Sequence, residues 1–245
     1  MPKDSEVLEC YETLLAEGKI QENKILKTSL ITRKVRSESG VTPFAVMTKP
    51  YPCPGQCTYC PLEVGMPKSY LSDEPAAARA KSFGFDPARQ ISSRLKQLEI
   101  TGHPTDKIEI IVIGGTFGSY PEEYKREFFL AMINTINDQV SDSLIQAQEL
   151  NESSPRRIVG MSIETRPDWI DEAEVKLMRE LGVTKVQLGV QALDDEIMEH
   201  IKRGHTLRDV ATATQLLKDA GVKVCYHFMP NLPGSTPEHD LEMAR

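Results

Sequence analysis

Three features of the sequence predict an α/β fold, an incomplete (β/α) barrel of about five parallel strands with helices outside. Apolar, β-branched runs alternate with helical stretches, the pattern of βαβ units. Glycines cut the runs off at their ends. One helix–glycine–strand unit also occurs twice, as Leu177-Met-Arg-Glu-Leu-Gly-Val-Thr-Lys-Val and as Leu216-Leu-Lys-Asp-Ala-Gly-Val-Lys-Val. The two glycines, Gly182 and Gly221, are 39 residues apart, a plausible length for a β/α unit. Five strands are too few to close an eight-stranded barrel.

The elements follow in order. Val7, Leu8, Tyr11, Leu14 and Leu15 have helical spacing, and Gly18 stops that helix. A basic segment comes next, then a short strand over 43–50 that ends in Pro50, Pro52 and a cysteine loop. Residues 74–100 read as helix interrupted near Pro87. The run 108–115 is the clearest strand, ended by two glycines. Pro121 opens a helix whose Phe128, Phe129, Met132, Ile133 and Ile136 share a face. Residues 138–154 are polar and read as a surface excursion. A strand over 158–164, a helix from Asp171 to Gly182 and a strand over 186–190 follow. Two helical pieces flank Gly204, and a strand over 222–228 leads into a Pro/Gly loop. Cys225, in mid-strand, is expected to be a small buried hydrophobe.

Composition excludes several classes. The 245 residues are 40% hydrophobic and 27% charged, as in ordinary globular proteins. No run of about 18 apolar residues exists, and the first residues form no signal core, so a cytoplasmic protein without a membrane span is expected. Net charge is −7, unevenly spread. Between Gly18 and Pro50 seven basic residues face two acidic ones, +5 locally against −12 elsewhere. A basic arm on an acidic body hints at nucleic acid, and equally at a solvated surface.

Three of the five cysteines fall within eight positions, in Cys53-Pro-Gly-Gln-Cys57-Thr-Tyr-Cys60. That clustering argues against a disulfide framework and for a reduced compartment with a metal or cluster. Three thiolates suit zinc or iron–sulfur. Structural zinc wants a fourth ligand, and no cysteine or paired histidine supplies one nearby. Three ligands on a four-iron cube leave one iron open to a small molecule, and the spacing favours that reading.

Cys-x3-Cys-x2-Cys with an aromatic before the third cysteine resembles the radical S-adenosylmethionine (SAM) superfamily. Further segments resemble the catalytic subunit of Elongator, a family of tRNA wobble-uridine modifying enzymes. They are Lys34-Val-Arg-Ser-Glu-Ser-Gly40, Met47-Thr-Lys-Pro50, Tyr59-Cys-Pro61, Lys68-Ser-Tyr70, Gly114-Gly-Thr-Phe117, Pro121-Glu-Glu-Tyr124, Glu164-Thr-Arg-Pro-Asp168, Gly189-Val-Gln191, Arg203-Gly-His-Thr206 and Met229-Pro-Asn-Leu-Pro233. They run in order from about residue 34 to the end. The combination, not any single motif, carries the resemblance.

The resemblance implies roles for particular residues. Cys53, Cys57 and Cys60 would bind a 4Fe-4S cluster. Gly114, Gly115 and Thr116, otherwise a tight βα turn, would receive the amino group of SAM. Glu164, otherwise an ordinary strand-end acid, would accept the ribose hydroxyls. Gln191 and Arg203 can together grip a carboxylate, and matching residues do so on the methionine end of SAM. Lys107 matches a lysine that contacts acetyl-CoA, although its expected place at the amino end of a strand reads as surface. Apart from the resemblance, Arg166 is expected to pair with Asp168 and shape a loop, and His205 to cap the following helix, with a catalytic role as its alternative.

The resemblance also implies a reaction. SAM cleaved at the open iron would yield a carbon radical from acetyl-CoA, which adds to the wobble uracil and leaves 5-carboxymethyluridine. Residues 1–42 would form a basic tRNA-binding arm, with Lys27, Arg33, Lys34 and Arg36 as contacts. Residues 43–245 would form the partial barrel, with a lysine-acetyltransferase-like domain lying beyond the chain. The chain is then expected to be a fragment without activity alone. Its partners would be tRNA, acetyl-CoA and an electron donor, and a homodimer is allowed. The alternatives are a porphyrinogen-oxidase-like radical SAM enzyme and a zinc-stabilised RNA-binding module.

Overall fold

In the computed structural model, which describes residues 2, 4–31 and 34–245, five parallel strands pair in chain order. They are β1 (Thr42–Met47), β2 (Lys107–Ile113), β3 (Arg157–Thr165), β4 (Lys185–Gln191) and β5 (Lys223–Phe228). Parallel neighbours need crossovers, and helices supply all of them. These are α3 (Pro75–Ser82) and α4 (Pro87–Ile100), then α5 (Glu122–Asn137) and α6 (Leu144–Asn151), α7 (Glu172–Glu180), and α8 (Asp195–His200) with α9 (Leu207–Asp219). A last helix, α10 (Pro237–Met243), follows β5. The predicted fold class stands.

The two faces of the sheet differ. Phe44, Val46, Ile108, Ile110, Val112, Ile163, Val186, Leu188 and Val190 all turn to one face and form one core with α4, α5, α7 and α9. The opposite face is divided. Over β1 and the end of β2 it is apolar, with Met47 and Ile113 packed under Ala77 and Ala80 of α3. Over β3, β4 and β5 it is polar: Lys185 bonds Glu109 (2.6 Å), Gln187 donates to Ser162 (3.0 Å), and His227 Nε2 lies 2.7 Å from Gln187 Oε1.

That division corrects one expectation. Cys225 pairs in register with Gln187, which puts it on the open face of an edge strand, and it is exposed. Apolar neighbours in sequence do not bury a residue on an edge strand whose face is left uncovered there.

Residues 138–154 lie mostly at the surface, as expected, and include α6. Ser143 caps it by accepting from the Gln146 amide (3.3 Å). Buried Asn151 donates to Asn137 (2.7 Å) and to the Arg156 carbonyl (3.0 Å), and accepts from the Ile158 amide (2.8 Å). The segment's few buried polar residues satisfy backbone groups of the neighbouring turn. At the outer edge of the sheet, Gln90 of α4 takes the place of a missing strand. Its amide accepts from the Met47 N–H and donates to the Met47 carbonyl, both at 2.9 Å.

The N-terminal segment forms α1 (Asp4–Ala16), α2 (Lys24–Leu30) and a 3-10 turn over Lys34–Ser37. Leu8 and Tyr11 are buried, and the Tyr11 hydroxyl accepts from the Asn23 amide (2.6 Å). Ser37 meets His103 at 2.8 Å, and Thr42 donates to the Pro104 carbonyl (2.7 Å). The segment is thus docked at the amino ends of β1 and β2. Among the described residues no helix is long and apolar enough to cross a membrane.

A second correction falls on residue 205. Thr206, not His205, caps α9, through a reciprocal bond with Asp209. The His205 ring turns inward, where it is buried with Asp168 Oδ1 3.9 Å from Nδ1 and with Arg203 and Arg166 near. Burial, helped by the two cations, pushes its pKa down to about 4. His205 is therefore neutral in the folded protein at pH 7. As pH falls from the unfolded value near 6.5 toward 4, only the unfolded chain takes up the proton, so stability drops across that window and no further below it. The expected loss attributable to this ring is about 3 kcal/mol. Urea titrations at pH 7 and pH 4.5 check it: His205→Phe should lose less stability than the unsubstituted chain between the two values. An equal loss in both would remove His205 as the source.

Candidate cluster and cofactor site

A cavity of about 480 Å³ opens at the carboxyl ends of the strands. That end is where parallel sheets place ligands, because loops and backbone N–H groups converge there. The cysteine loop leaves β1 and closes one side of it. Cys53, Cys57 and Cys60 all line the cavity, as do Gly115, Thr116, Glu164, Gln191 and Arg203. Gly114 lies behind, against Thr48 and Phe117.

The loop is held from several directions. Thr58 N–H donates to the Ile201 carbonyl at the end of α8 (3.0 Å). Lys68 donates to the Gly55 carbonyl (2.5 Å). Cys53 Sγ lies 3.6 Å from Thr116 Oγ1, Cys60 Sγ 2.9 Å from Ser69 Oγ, and Arg203 Nη1 3.4 Å from Cys57 Sγ. Each thiol therefore has one polar neighbour from a different segment.

The strand ends are shaped for close approach. Gly114 and Gly115 have φ of 136° and 95°, a region closed to most side chains. A Cβ on Gly114 would also overlap the Thr48 hydroxyl. Gln191 has φ of 75°, unusual for a residue other than glycine, and it sits where the pairing of β4 with β5 shifts register. Such strain persists only where surrounding structure enforces it. Gly189 makes room for Arg203, whose Nη2 donates to the Gly189 carbonyl at 2.6 Å.

Glu164 has a partner the sequence reading did not assign. The Tyr70 hydroxyl donates to its Oε2 at 2.5 Å. Burial raises the Glu164 pKa, opposed by that bond and by the Gly114 backbone. Burial and the Glu164 charge raise the Tyr70 phenol in turn, so it stays a donor. The sequence names Tyr70 only within Lys68-Ser-Tyr70, and nothing local signals a bond across 94 residues. His227, Gln187 and Met229 also line the cavity unannounced.

Does this cavity fit a cluster and a polar organic cofactor? Buried polar atoms without partners among the described residues include Tyr59 Oη, Arg166 Nη1 and Arg203 Nε, and all three residues line it. Leaving such groups unpaired costs about 1–3 kcal/mol each, so the cavity is chemically incomplete as it stands. The donors are three soft thiols on one rim and carboxylate, amide and guanidinium groups around the rest. No three His, Cys, Asp or Glu side chains among the described residues converge on one point as a mononuclear ion requires. Three thiols that share one rim without converging on a single point fit a polynuclear cluster better than structural zinc.

Other predicted residues lie elsewhere. Lys107 is exposed at the first position of β2, at the opposite end of the sheet. Lys27, in α2, is paired with Glu12 (2.7 Å), which raises its pKa. Arg33 lies outside the described residues, and of Lys34 and Arg36 only the backbone is described. Arg166 and Asp168 form the expected pair, at 2.9 and 2.8 Å.

Several known proteins resemble this chain in sequence. The chain is 49% identical over 210 residues to the tRNA uridine(34) acetyltransferase of Dehalococcoides mccartyi, covering 86% of this chain and 46% of that protein. It is 46% identical over 248 residues to the tRNA uridine(34) acetyltransferase of Methanocaldococcus jannaschii, covering 99% and 44%. Elongator complex protein 3 of Homo sapiens is 36% identical over 236 residues, with 91% and 43% covered. The chain thus spans a little under half the length of these relatives. Among solved structures, the archaeal Methanocaldococcus infernus Elp3 with an N-terminal deletion superposes with a TM-score of 0.70 at 42% identity, covering 83% of this chain and 41% of that one. Residues 51–245 match the radical SAM superfamily, and the chain belongs to it.

Proposed function

We propose that this chain is the radical-generating part of an enzyme that modifies the wobble uridine of tRNA, forming 5-carboxymethyluridine from acetyl-CoA. The observation that carries it is the gathering of three thiols, Gly115, Thr116, Glu164, Gln191 and Arg203 around one cavity. Similarity to proteins named for uridine(34) supports the substrate.

Cys53, Cys57 and Cys60 would hold a 4Fe-4S cluster, the cofactor set of the superfamily being that cluster and SAM. Bound there, the pair supplies one-electron, hydrogen-abstracting chemistry, and the protein supplies position and electrostatics. Gly114, Gly115 and Thr116 present backbone and hydroxyl groups to the amino end of SAM. Glu164, held by Tyr70, accepts the ribose hydroxyls. Arg203 and Gln191 take the carboxylate, and Arg203 also steadies Cys57. The half-buried Tyr59 and the surrounding walls keep water from the reacting centre.

The acyl donor and the RNA are read from the ends of the sheet. Lys107 would contact acetyl-CoA from the amino end of β2, about 20 Å from the cysteines by strand length. The basic segment, docked at that same end, would hold phosphates through Lys27, Arg33, Lys34 and Arg36, with Lys27 first leaving Glu12. An external one-electron donor and a homodimer belong to this reading as well.

Anaerobic reconstitution tests the cluster. The chain should bind about four iron and four sulfide with broad visible absorption. Alanine at Cys53, Cys57 or Cys60 should remove that absorption; single variants with full iron and sulfide would refute the ligand set.

Arg203→Ala should weaken SAM binding by about 1.5–3 kcal/mol, the range for a charged hydrogen-bond partner, measured by calorimetry. Because Arg203 touches Cys57, iron content must be matched first. Unchanged affinity at equal iron would exclude it from the SAM site.

Neutralising Arg33, Lys34 and Arg36 together should lower tRNA affinity and flatten its salt dependence, because fewer counterions are released. Filter binding across a salt series checks this. An unchanged slope would make the segment an ordinary solvated surface.

A further inference from the structure

Arg166 is used by none of the roles above, yet it is the most confined cation beside the cysteine loop. Its side chain is 5% exposed. Asp168 holds two of its nitrogens, Nε donating to Oδ1 (2.9 Å) and Nη2 to Oδ2 (2.8 Å). The third, Nη1, has no partner among the described residues.

That nitrogen faces Gly55, in the turn between Cys53 and Cys57. A Cβ on Gly55 would overlap Nη1, and the same position lies 3.6 Å from Cys53 Sγ. On the other side, a Cβ on Gly204 would sit 3.2 Å from Nη2. Two glycines therefore leave space for one guanidinium between the cysteine loop and the start of α9. Asp168 is backed by the buried His205 ring, 3.9 Å away. The ion pair is a dipole whose positive end is turned to the thiols and whose negative end is turned away.

We propose that Arg166 is a positioning residue that sets the reduction potential of the cluster, by directing its free N–H at the Cys53–Cys57 turn. This rests on the cluster reading given above. Hydrogen bonds and charge around thiolates are what tune such potentials. Reduction adds one electron from an external one-electron reductant; no bond breaks, and Arg166 keeps its protons. The added negative charge is favoured by a donor and a cation beside it. Arg166 thereby makes the cluster easier to reduce.

The test compares the anaerobically loaded chain with R166Q, G55A and, as a control, R126Q. Arg126 carries the same charge on the surface of α5, paired with Glu122 and Glu180. Iron and sulfide are counted for each, and midpoint potentials are read by EPR during dithionite titration. R166Q should shift the midpoint to more negative values. G55A, which keeps the charge but pushes Nη1 away, should shift it the same way by less, and R126Q should not shift it. Wild-type midpoints in fully loaded R166Q and G55A would overturn the proposal. If both lose the cluster, R166K, which keeps a charge beside the turn, should regain it with a shifted midpoint; R166K at the wild-type midpoint would overturn the proposal. A wild-type chain that takes up no iron and sulfide would instead refute the cluster reading itself.

Discussion

A loop carrying three thiols between prolines and glycines has little reason to hold one shape, and two buried guanidiniums give it that reason. Arg203 reaches Cys57 from the loop after α8, and Arg166 presses on Gly55 from the end of β3. Each is anchored at its other end, Arg203 on the Gly189 carbonyl and Arg166 on Asp168. The cavity exists because these anchors come from successive strands that run the same way. Had any strand been antiparallel, its carboxyl end would have carried its arginine to the far side of the sheet.

This arrangement explains why the two faces of the sheet are so unlike. The helix-bearing face needs only apolar bulk, and Ile, Val, Leu and Phe supply it. The other face is apolar where α3 covers β1 and β2, and polar over β3, β4 and β5, where backbone groups and charged side chains converge on the cavity. Glu109 with Lys185 and Ser162 with Gln187 and His227 pair these groups across neighbouring strands. Pairing across strands satisfies these partly exposed polar groups and the buried Ser162 among them. The ladder thus belongs to the fold and the site together.

How much of this is legible in the sequence follows from the range of each interaction. Strand and helix order is readable because periodicity is local, and the cysteine spacing is readable because its ligands share one loop. The resemblance extends that to Glu164, Gln191 and Arg203 by matching motifs. Tyr70 on Glu164 and Arg166 on Gly55 join segments 94 and 111 residues apart, and no local pattern encodes such pairings. His205 fails for another reason: a histidine beside a capping threonine looks like a cap, and only packing tells which of the two turns inward. Cys225 fails because burial depends on which face carries helices, and period-2 alternation does not name the face.

The same geometry constrains how a large polyanion could use this chain. The basic segment and Lys107 sit at the amino ends of the strands, and the thiols at the carboxyl ends, about 20 Å apart along the sheet. A base entering the cavity cannot be held by that segment at the same nucleotide. Under the proposed function the segment would act on phosphates well removed from the reacting base, as an attraction that orients the RNA rather than as a grip on the target. Just beyond the carboxyl end of β1, Lys49 lies over Tyr124, 4.4 Å from its ring centre, and Tyr51 packs tilted on Tyr120 at 4.9 Å. The proposed phosphate contacts and the thiols are thus separated by the length of a strand, and the parallel sheet is what keeps them apart.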